Sequence, residues 1–380
     1  MPHIPLSEAH EIFRAMIRRF TADEVTPHIV EWEEAEIFPR ALYDRAGALG
    51  ILGAGHDEAY GGSGGDQLMQ LVFIEEMMRA GSGGLVAGLG SLNIALPPLY
   101  ILGDESQKQR FIPPVLRGEH IAALAITEPG AGSDVSGVQT RAVRDGDHYV
   151  LDGAKLYITS GMRADIVMTL ARTGPDPHGG LTFFVVEKGM PGFTASRALK
   201  KTGWRASDTA ELSFDGVRVP VANRVGPEGS GFVALMQNFQ SERLALAFYG
   251  HATAEVALED AVAYAKERTA FGKPLAKMQA IRHRLARMAT QVAACKRFNY
   301  VLAQQALAGE ASPAEVSMAK NFAAEVAEQV TYGAVQVLGG LGYMRESRVE
   351  RLSRDARLLA IGGGTTEVMN EIICRWGLEI

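Results

Sequence analysis

Apolar and polar positions change period twice along the chain. Up to about residue 120, "DQLMQLVFIEEMMRA" (66–80) and "ESQKQRFIPPVLRGE" (105–119) repeat apolar residues three and four apart, punctuated by glycine and proline. That period predicts helices. The N-terminal "MPHIPLSEAHEIFRAMIRRF" shows the same amphipathic period and lacks the apolar h-region of a signal peptide. From about Ile121 to Val233 the segments "HYVLDGAKLYITSG", "ADIVMTLART", "LTFFVVEKG" and "TAELSFDGVRVP" are short, β-branched or aromatic, and bounded by Gly, Asp or Pro, so they read as strands. The helical period then returns and runs to the C-terminus, broken at Phe271–Pro274 and Gly339–Gly342. The pattern predicts an α+β chain with a helical domain over 1–120, a β domain over 121–233 and a helical domain over 234–380. A length of 380 residues, beyond what one ordinary core serves, agrees with several domains.

Composition narrows the chemistry. The chain is 47% hydrophobic and 22% charged, which is globular, and its net charge is −6 with no long Lys/Arg block, which argues against a nucleic-acid face. An anionic small molecule would have to be held by a few placed arginines. Cys295 and Cys374 are the only cysteines, and the nine histidines show no paired spacing, so neither a disulfide framework nor a metal site is expected. His283 lies among arginines on a solvated helix face. No apolar run reaches membrane-spanning length, and the cytoplasm is the simplest address.

Four glycine-rich stretches remain. "GAGHDE" from Gly53 begins like a dinucleotide-binding loop but lacks the third glycine and the following acidic residue, so it reads as a plain loop. "GGSGG" (61–65) matches the GxSxG pattern of serine hydrolases, yet polar "HDEAY" stands where that motif needs a strand. A flexible loop fits better, with a hydrolase using Ser63 as the alternative from another class. "AITEPGAGSDVSG" (125–137) offers several backbone N–H groups and two hydroxyls to a planar ligand or phosphate; taken alone it is a glycine turn capped by Asp134. In "LLAIGGGTTEVMNE" (358–371) an apolar run stops at Gly362, Gly363 and Gly364, and a helix resumes with Glu367 in its first turn. Something is meant to approach the bare N–H groups there, but the bend itself supplies no acid or base.

The last two stretches, with "YITSG" (157–161), "ERTAFGKPL" (267–275), "QVLGGLGY" (336–343), "LGDESQKQRFIPPVLRGE" and "DTAELSFDGVRVP", resemble the acyl-CoA dehydrogenase family in its own order over nearly the whole chain. The resemblance implies an N-terminal helical domain, a middle β-barrel-like domain and a C-terminal four-helix bundle, assembled as a homotetramer (a dimer of dimers). It implies FAD, bound without a GxGxxG loop. Leu124, Ile126, Thr127 and Ser133 would contact the flavin and its ribityl chain, and Tyr157, where the family usually has tryptophan, would cover the ring with Thr159. Arg268, Phe271, Gln279 and the stretch Gln336, Val337, Leu338, Gly339 and Gly340 would bind the adenosine and pyrophosphate, partly across a subunit interface; Thr365 and Glu367 join the cofactor set.

The implied reaction is α,β-dehydrogenation of an acyl-CoA thioester, with electrons passed to an electron-transfer flavoprotein. Many members read Tyr-Glu-Gly-Thr at the bend and use that Glu as base. This chain has glycine there, leaving Gly363 as a backbone donor to the thioester oxygen but no carboxylate. Isovaleryl-CoA and long-chain acyl-CoA dehydrogenases carry the base on a preceding helix in a Glu-Arg-Leu context, which this chain matches at Glu242-Arg243-Leu244. Spacing agrees: Phe232, Leu235, Met236, Phe239 and Leu246 form one apolar stripe, and Glu242 falls on it, where burial should raise its pKa toward that of a useful base. Arg243, its neighbour, is expected to point elsewhere and matches the family arginine that contacts CoA. Gln240, Ser241, Ser133 and Gly362 are further substrate-contact candidates. With the loop carboxylate gone, space should open beside the acyl tail, so medium-chain, long-chain or branched acyl groups are expected. Acyl-CoA oxidases and flavin monooxygenases on the same fold are the rival readings.

Overall fold

The computed structural model describes residues 6–380. Eight α-helices come first: α1 (Glu8–Phe20), α2 (Ile29–Ala35), α3 (Ala41–Ala48), α4 (Gln67–Met77), α5 (Gly83–Leu89), α6 (Leu92–Ala95), α7 (Pro97–Leu102) and α8 (Glu105–Leu116). Their starts follow local chemistry. Ser7 and Asp104 each accept from the third backbone N–H of their helix in reciprocal capping boxes, and the Asp66 carboxylate caps α4. The predicted N-terminal helix begins at Glu8; residues 1–5 of that stretch lie outside the described residues.

Eight strands follow: β1 (Ala122–Ala125), β2 (Arg141–Asp145), β3 (His148–Thr159), β4 (Ile166–Arg172), β5 (Leu181–Glu187), β6 (Phe193–Ala198), β7 (Thr209–Pro220) and β8 (Arg224–Val225). They form one mixed sheet in the order β6-β7-β3-β2-β4-β5-β8, with β1 parallel to β4. β2 meets β4 through a single pair, Arg141 with Arg172, so the sheet folds there into two halves around a core that includes Tyr149, Leu151, Phe184, Leu212 and Phe214. The arrangement is barrel-like without closing, because β6 and β8 do not pair. The four strands read from the sequence are β3, β4, β5 and β7; the pattern gave no separate signal for short β1, β2, β6 and β8.

Helices then take over: α9 (Gly231–Glu267), α10 (Gln279–Leu307) and α11 (Pro313–Leu338), with shorter α12 (Arg348–Ala356) and α13 (Thr366–Ile373) completing the bundle. The break at Phe271–Pro274 is a two-stranded turn, β9 (Thr269–Ala270) with β10 (Lys273–Pro274). α9 and α11 pack closely at Gly250, where a Cβ would stand 2.7 Å from the Ala323 carbonyl oxygen. Across the same helix pair Lys320 of α11 lies near enough to Glu242 of α9 for their charges to interact. Among the described residues no single helix is long and apolar enough to cross a membrane.

Candidate active site

Ile361 and Gly362 both donate to the Leu358 carbonyl, at 2.9 and 2.8 Å, which ends the apolar run. Gly363 and Gly364 then take φ +63° and +98°, a backbone region that disfavours side chains. Thr365 caps α13, its hydroxyl accepting from the Val368 N–H. The bend therefore delivers the chain to a helix N-terminus through two left-handed glycines, as the sequence suggested.

Glu242 faces this bend. A Cβ built on Gly363 would lie 3.5 Å from Glu242 Oε1 and 2.4 Å from Leu246 Cδ1. Burial is the main influence on the Glu242 carboxyl and raises its pKa above the ordinary carboxylate range; Arg243 and Lys320 pull it part of the way back. An acid so placed is a better proton acceptor near neutral pH than a solvated glutamate.

Arg243 does not point elsewhere. It is buried, its Nε donates to the Gly363 carbonyl at 3.4 Å, and its guanidinium lies 5.6 Å from the Phe239 ring centroid. Adjacent helical residues do leave the axis in different directions, but an arginine is long enough to wrap under the same bend. Lys320, which the sequence reading did not single out, is 1% exposed and donates to the Gly364 carbonyl. Burial chiefly, helped by Arg243, lowers its pKa to about 8, against the pull of Glu242 and Glu367. Its neighbour Asn321 donates to the Thr366 carbonyl at 3.2 Å. Gln240, half-buried, has an Oε1 with no protein partner, which leaves an acceptor free beside the site; Ser241 is exposed. The space expected beside the acyl tail is not free: Leu246 Cδ1 and the Glu242 carboxyl fill the volume a side chain at Gly363 would take.

The second half of the site lies in the β domain. Lys155, fully buried, donates to the Ile126 carbonyl at 2.8 Å and to Glu128 Oε1 at 2.9 Å, and Glu128 also accepts from the Gln139 and Thr140 N–H groups. Burial pushes the Glu128 carboxyl up, yet Lys155 and the hydrogen bonds outweigh it and hold it low; burial brings Lys155 down to about 8. The Leu156 N–H donates to the Thr127 carbonyl at 2.8 Å. Ile126 and Thr127 are thus tied to the end of β3, while Leu124 pairs with Met168 of β4; a bulge between Lys155 and Ile158 turns Tyr157 outward at φ +62° and 65% exposed, two residues before Thr159. Gly130 and Gly132 have open space at their Cβ positions, with Ser133 exposed beside them. An outward-facing ring and an open glycine turn beside an exposed serine hydroxyl fit the edge of a planar, hydroxylated cofactor.

Arg268, Phe271 and Gln279 are exposed, Phe271 to 94%, around the β9–β10 turn and the start of α10. Gln336, Gly339 and Gly340 are exposed at the end of α11, while Val337 and Leu338 are buried in its core face. Among the described residues no hydrogen bond or ion pair joins either group to the Ile126–Thr127 ridge. Glu367 is exposed in the first turn of α13. Ser63 donates to the Gly50 carbonyl at 2.8 Å from a loop that follows a single helical turn, Glu58–Tyr60, rather than a strand. The nucleophile-elbow geometry of a serine hydrolase is absent there.

The structure thus sets a helix-borne carboxyl facing a glycine bend in the helical domain and an outward-facing tyrosine beside a glycine turn in the β domain. The chain matches the acyl-CoA dehydrogenase N-terminal domain over residues 7–119, the middle domain over 123–217 and the C-terminal domain over 229–378. It is 40% identical over 372 residues to the mitochondrial long-chain specific acyl-CoA dehydrogenase of Sus scrofa, covering 97% of this chain and 86% of that one. Among solved structures it superposes on acyl-CoA dehydrogenase from Geobacillus kaustophilus (TM-score 0.95, 42% identity, 99% of both chains). Butyryl-CoA dehydrogenase from Megasphaera elsdenii superposes equally well (TM-score 0.95, 36% identity, all of both chains). The chain belongs to the acyl-CoA dehydrogenase family, whose members are FAD-dependent oxidoreductases acting on CH–CH bonds.

Proposed function

We propose that this enzyme oxidises an acyl-CoA thioester to the trans-2-enoyl-CoA, with Glu242 taking the α-proton. The observation that carries this reading is the carboxyl of half-buried Glu242 facing Gly363, with its pKa raised by its surroundings. The Gly363 N–H, beside the N-terminal field of α13, is the protein's donor to the thioester oxygen as it gains enolate character. FAD, when bound on the β-domain ridge, supplies the acceptor for the β-hydride. Tyr157, Thr159, Leu124, Ile126, Thr127 and Ser133 would hold its flavin and ribityl portion, and Thr365 and Glu367 would contribute from the glycine bend. Gln240 offers its free acceptor to substrate, with Ser241 and Gly362 at the entrance.

Arg268, Phe271, Gln279 and residues 336–340 would complete an adenosine site across a subunit boundary. Exposed Phe271, Tyr332, Leu341, Tyr343 and Trp376 on the helical domain support a homotetramer, which light scattering would test. The physiological acceptor is proposed to be an electron-transfer flavoprotein. Medium-chain, long-chain or branched substrates are favoured by the helix-borne base and by the long-chain relative, not by spare volume at the bend. A series of acyl-CoA substrates would test the preference, and maximal kcat/KM at four unbranched carbons would overturn it.

The decisive experiment is anaerobic mixing of acyl-CoA with the FAD-loaded enzyme and its Glu242→Gln variant. The parent flavin should bleach. The variant should keep FAD and thioester binding and lose about 10²–10⁴-fold in bleaching rate. Bleaching at the parent rate would remove Glu242 from the mechanism.

A further inference from the structure

Three glycines in a row leave a bend with no side chain to hold its peptide planes, and glycine loses more conformational freedom on ordering than any other residue. Something outside the bend has to fix where Gly363 points. Two buried cations grip consecutive carbonyls: Arg243 from α9 holds that of Gly363, and Lys320 from α11 holds that of Gly364. A carbonyl held by a cation fixes its whole peptide plane, so Arg243 and Lys320 set the two planes that follow Gly363, whose N–H groups are those of Gly364 and Thr365, and thereby limit how far Gly363 itself can turn.

We infer that Lys320 is a positioning residue for proton abstraction: by holding the Gly364 carbonyl it orients the glycine bend, and its charge, with that of Arg243, steadies the ionised form of Glu242. The inference rests on Glu242 being the base. The charged groups facing this point are Glu242 and Arg243 from α9, Lys320 from α11 and Glu367 from α13. Lys320 is one of the two cations that lower the Glu242 pKa, so removing it raises that pKa further.

The experiment uses the FAD-loaded enzyme and a 3-thiaacyl-CoA, whose α-protons can leave but whose β-position is sulfur and carries no hydride. Exchange of those protons with D₂O is followed by NMR, alongside kcat and KM for an ordinary acyl-CoA across pH. Lys320→Met is expected to slow α-proton exchange and kcat together by about 10²-fold, the scale of losing a preorganised donor, while KM changes little. The acid limb of kcat/KM should move to higher pH. Lys320→Arg, which keeps the charge and a donor, should recover part of the exchange rate; it also serves as the deciding variant where Lys320→Met fails to retain FAD. Parent exchange rates and an unmoved acid limb in a folded, FAD-loaded Lys320→Met enzyme would overturn the inference. Glu242→Gln separates the two claims. If it abolishes exchange while Lys320→Met leaves it intact, only Lys320 is excluded; if it exchanges at the parent rate, the base assignment falls and this inference with it.

Discussion

Gly363→Ala should destabilise the protein in two separable ways. An L-residue at φ +63° carries about 1–2 kcal/mol of backbone strain. The added methyl would also stand 2.4 Å from Leu246 Cδ1, far inside the ~3.5–4.0 Å of an ordinary carbon contact. Leu246 is a buried core side chain, and shifting it to make room costs about 1–3 kcal/mol by overpacking. The single variant should therefore lose about 2–5 kcal/mol, the sum of those strain and overpacking ranges. Leu246→Ala alone leaves a cavity worth about 2–5 kcal/mol. The informative quantity is their coupling. In the double variant the clash is gone, so the total should fall short of the sum of the singles by about 1–3 kcal/mol, leaving the backbone strain in place. Urea unfolding of the FAD-loaded proteins, followed by circular dichroism, measures all three. Additivity within about 0.5 kcal/mol would refute the claim that Leu246 occupies the side-chain space of position 363. The same overlap explains why a carboxylate on the helix goes with glycine at the bend. A glutamate at 363 would press its Cβ into Leu246 and bring a second negative charge against Glu242.

Two further outcomes follow from buried charges away from the bend. Lys155→Met removes the donor to the Ile126 carbonyl and leaves Glu128 as an unpaired buried carboxylate, a loss of about 3–5 kcal/mol; FAD dissociation, read by fluorescence, should accelerate, and an unchanged rate would mean that the Ile126–Thr127 ridge holds itself. Where the three segments meet, Asp355 accepts from the Trp204 and Gly83 N–H groups, and burial together with Glu33 pushes its carboxyl from 3.8 up to about 7. A carboxyl raised on folding costs stability progressively as pH rises from its unfolded pKa through its folded one. Glu33 Oε2 has no hydrogen-bond partner, so Glu33→Gln removes the repulsion without losing a bond; it should raise the thermal midpoint at pH 8 relative to the parent, with the gain shrinking by pH 5. A gain that does not vary with pH would show that the two acids are not the source.

What could be read from the chain divides along a physical line. Glu242 was legible because it interrupts an apolar stripe on its own helix, and a helix buries whatever lies on that stripe. Lys155 carried a usable signal that went unread. Counting by twos from buried Tyr149 and Leu151 puts Lys155 on the inward side of β3, and it is buried there, although the strand is irregular between Leu151 and Gly153, leaves Gly153 exposed and bulges again between Lys155 and Ile158. An inward lysine demands an acid, and Glu128, in the turn already suspected of binding a ligand, is that acid. Lys320 gave no such signal. Its partner is a main-chain carbonyl 44 residues away, and a carbonyl is present at every position whatever the side chain. Patterns of hydrophobic and polar residues report where side chains go; they are silent on which backbone oxygens a bend leaves facing inward. A site whose proposed oxyanion donor is main chain, on a run of residues without side chains, therefore shows its proposed base in the sequence and hides the groups that hold the bend.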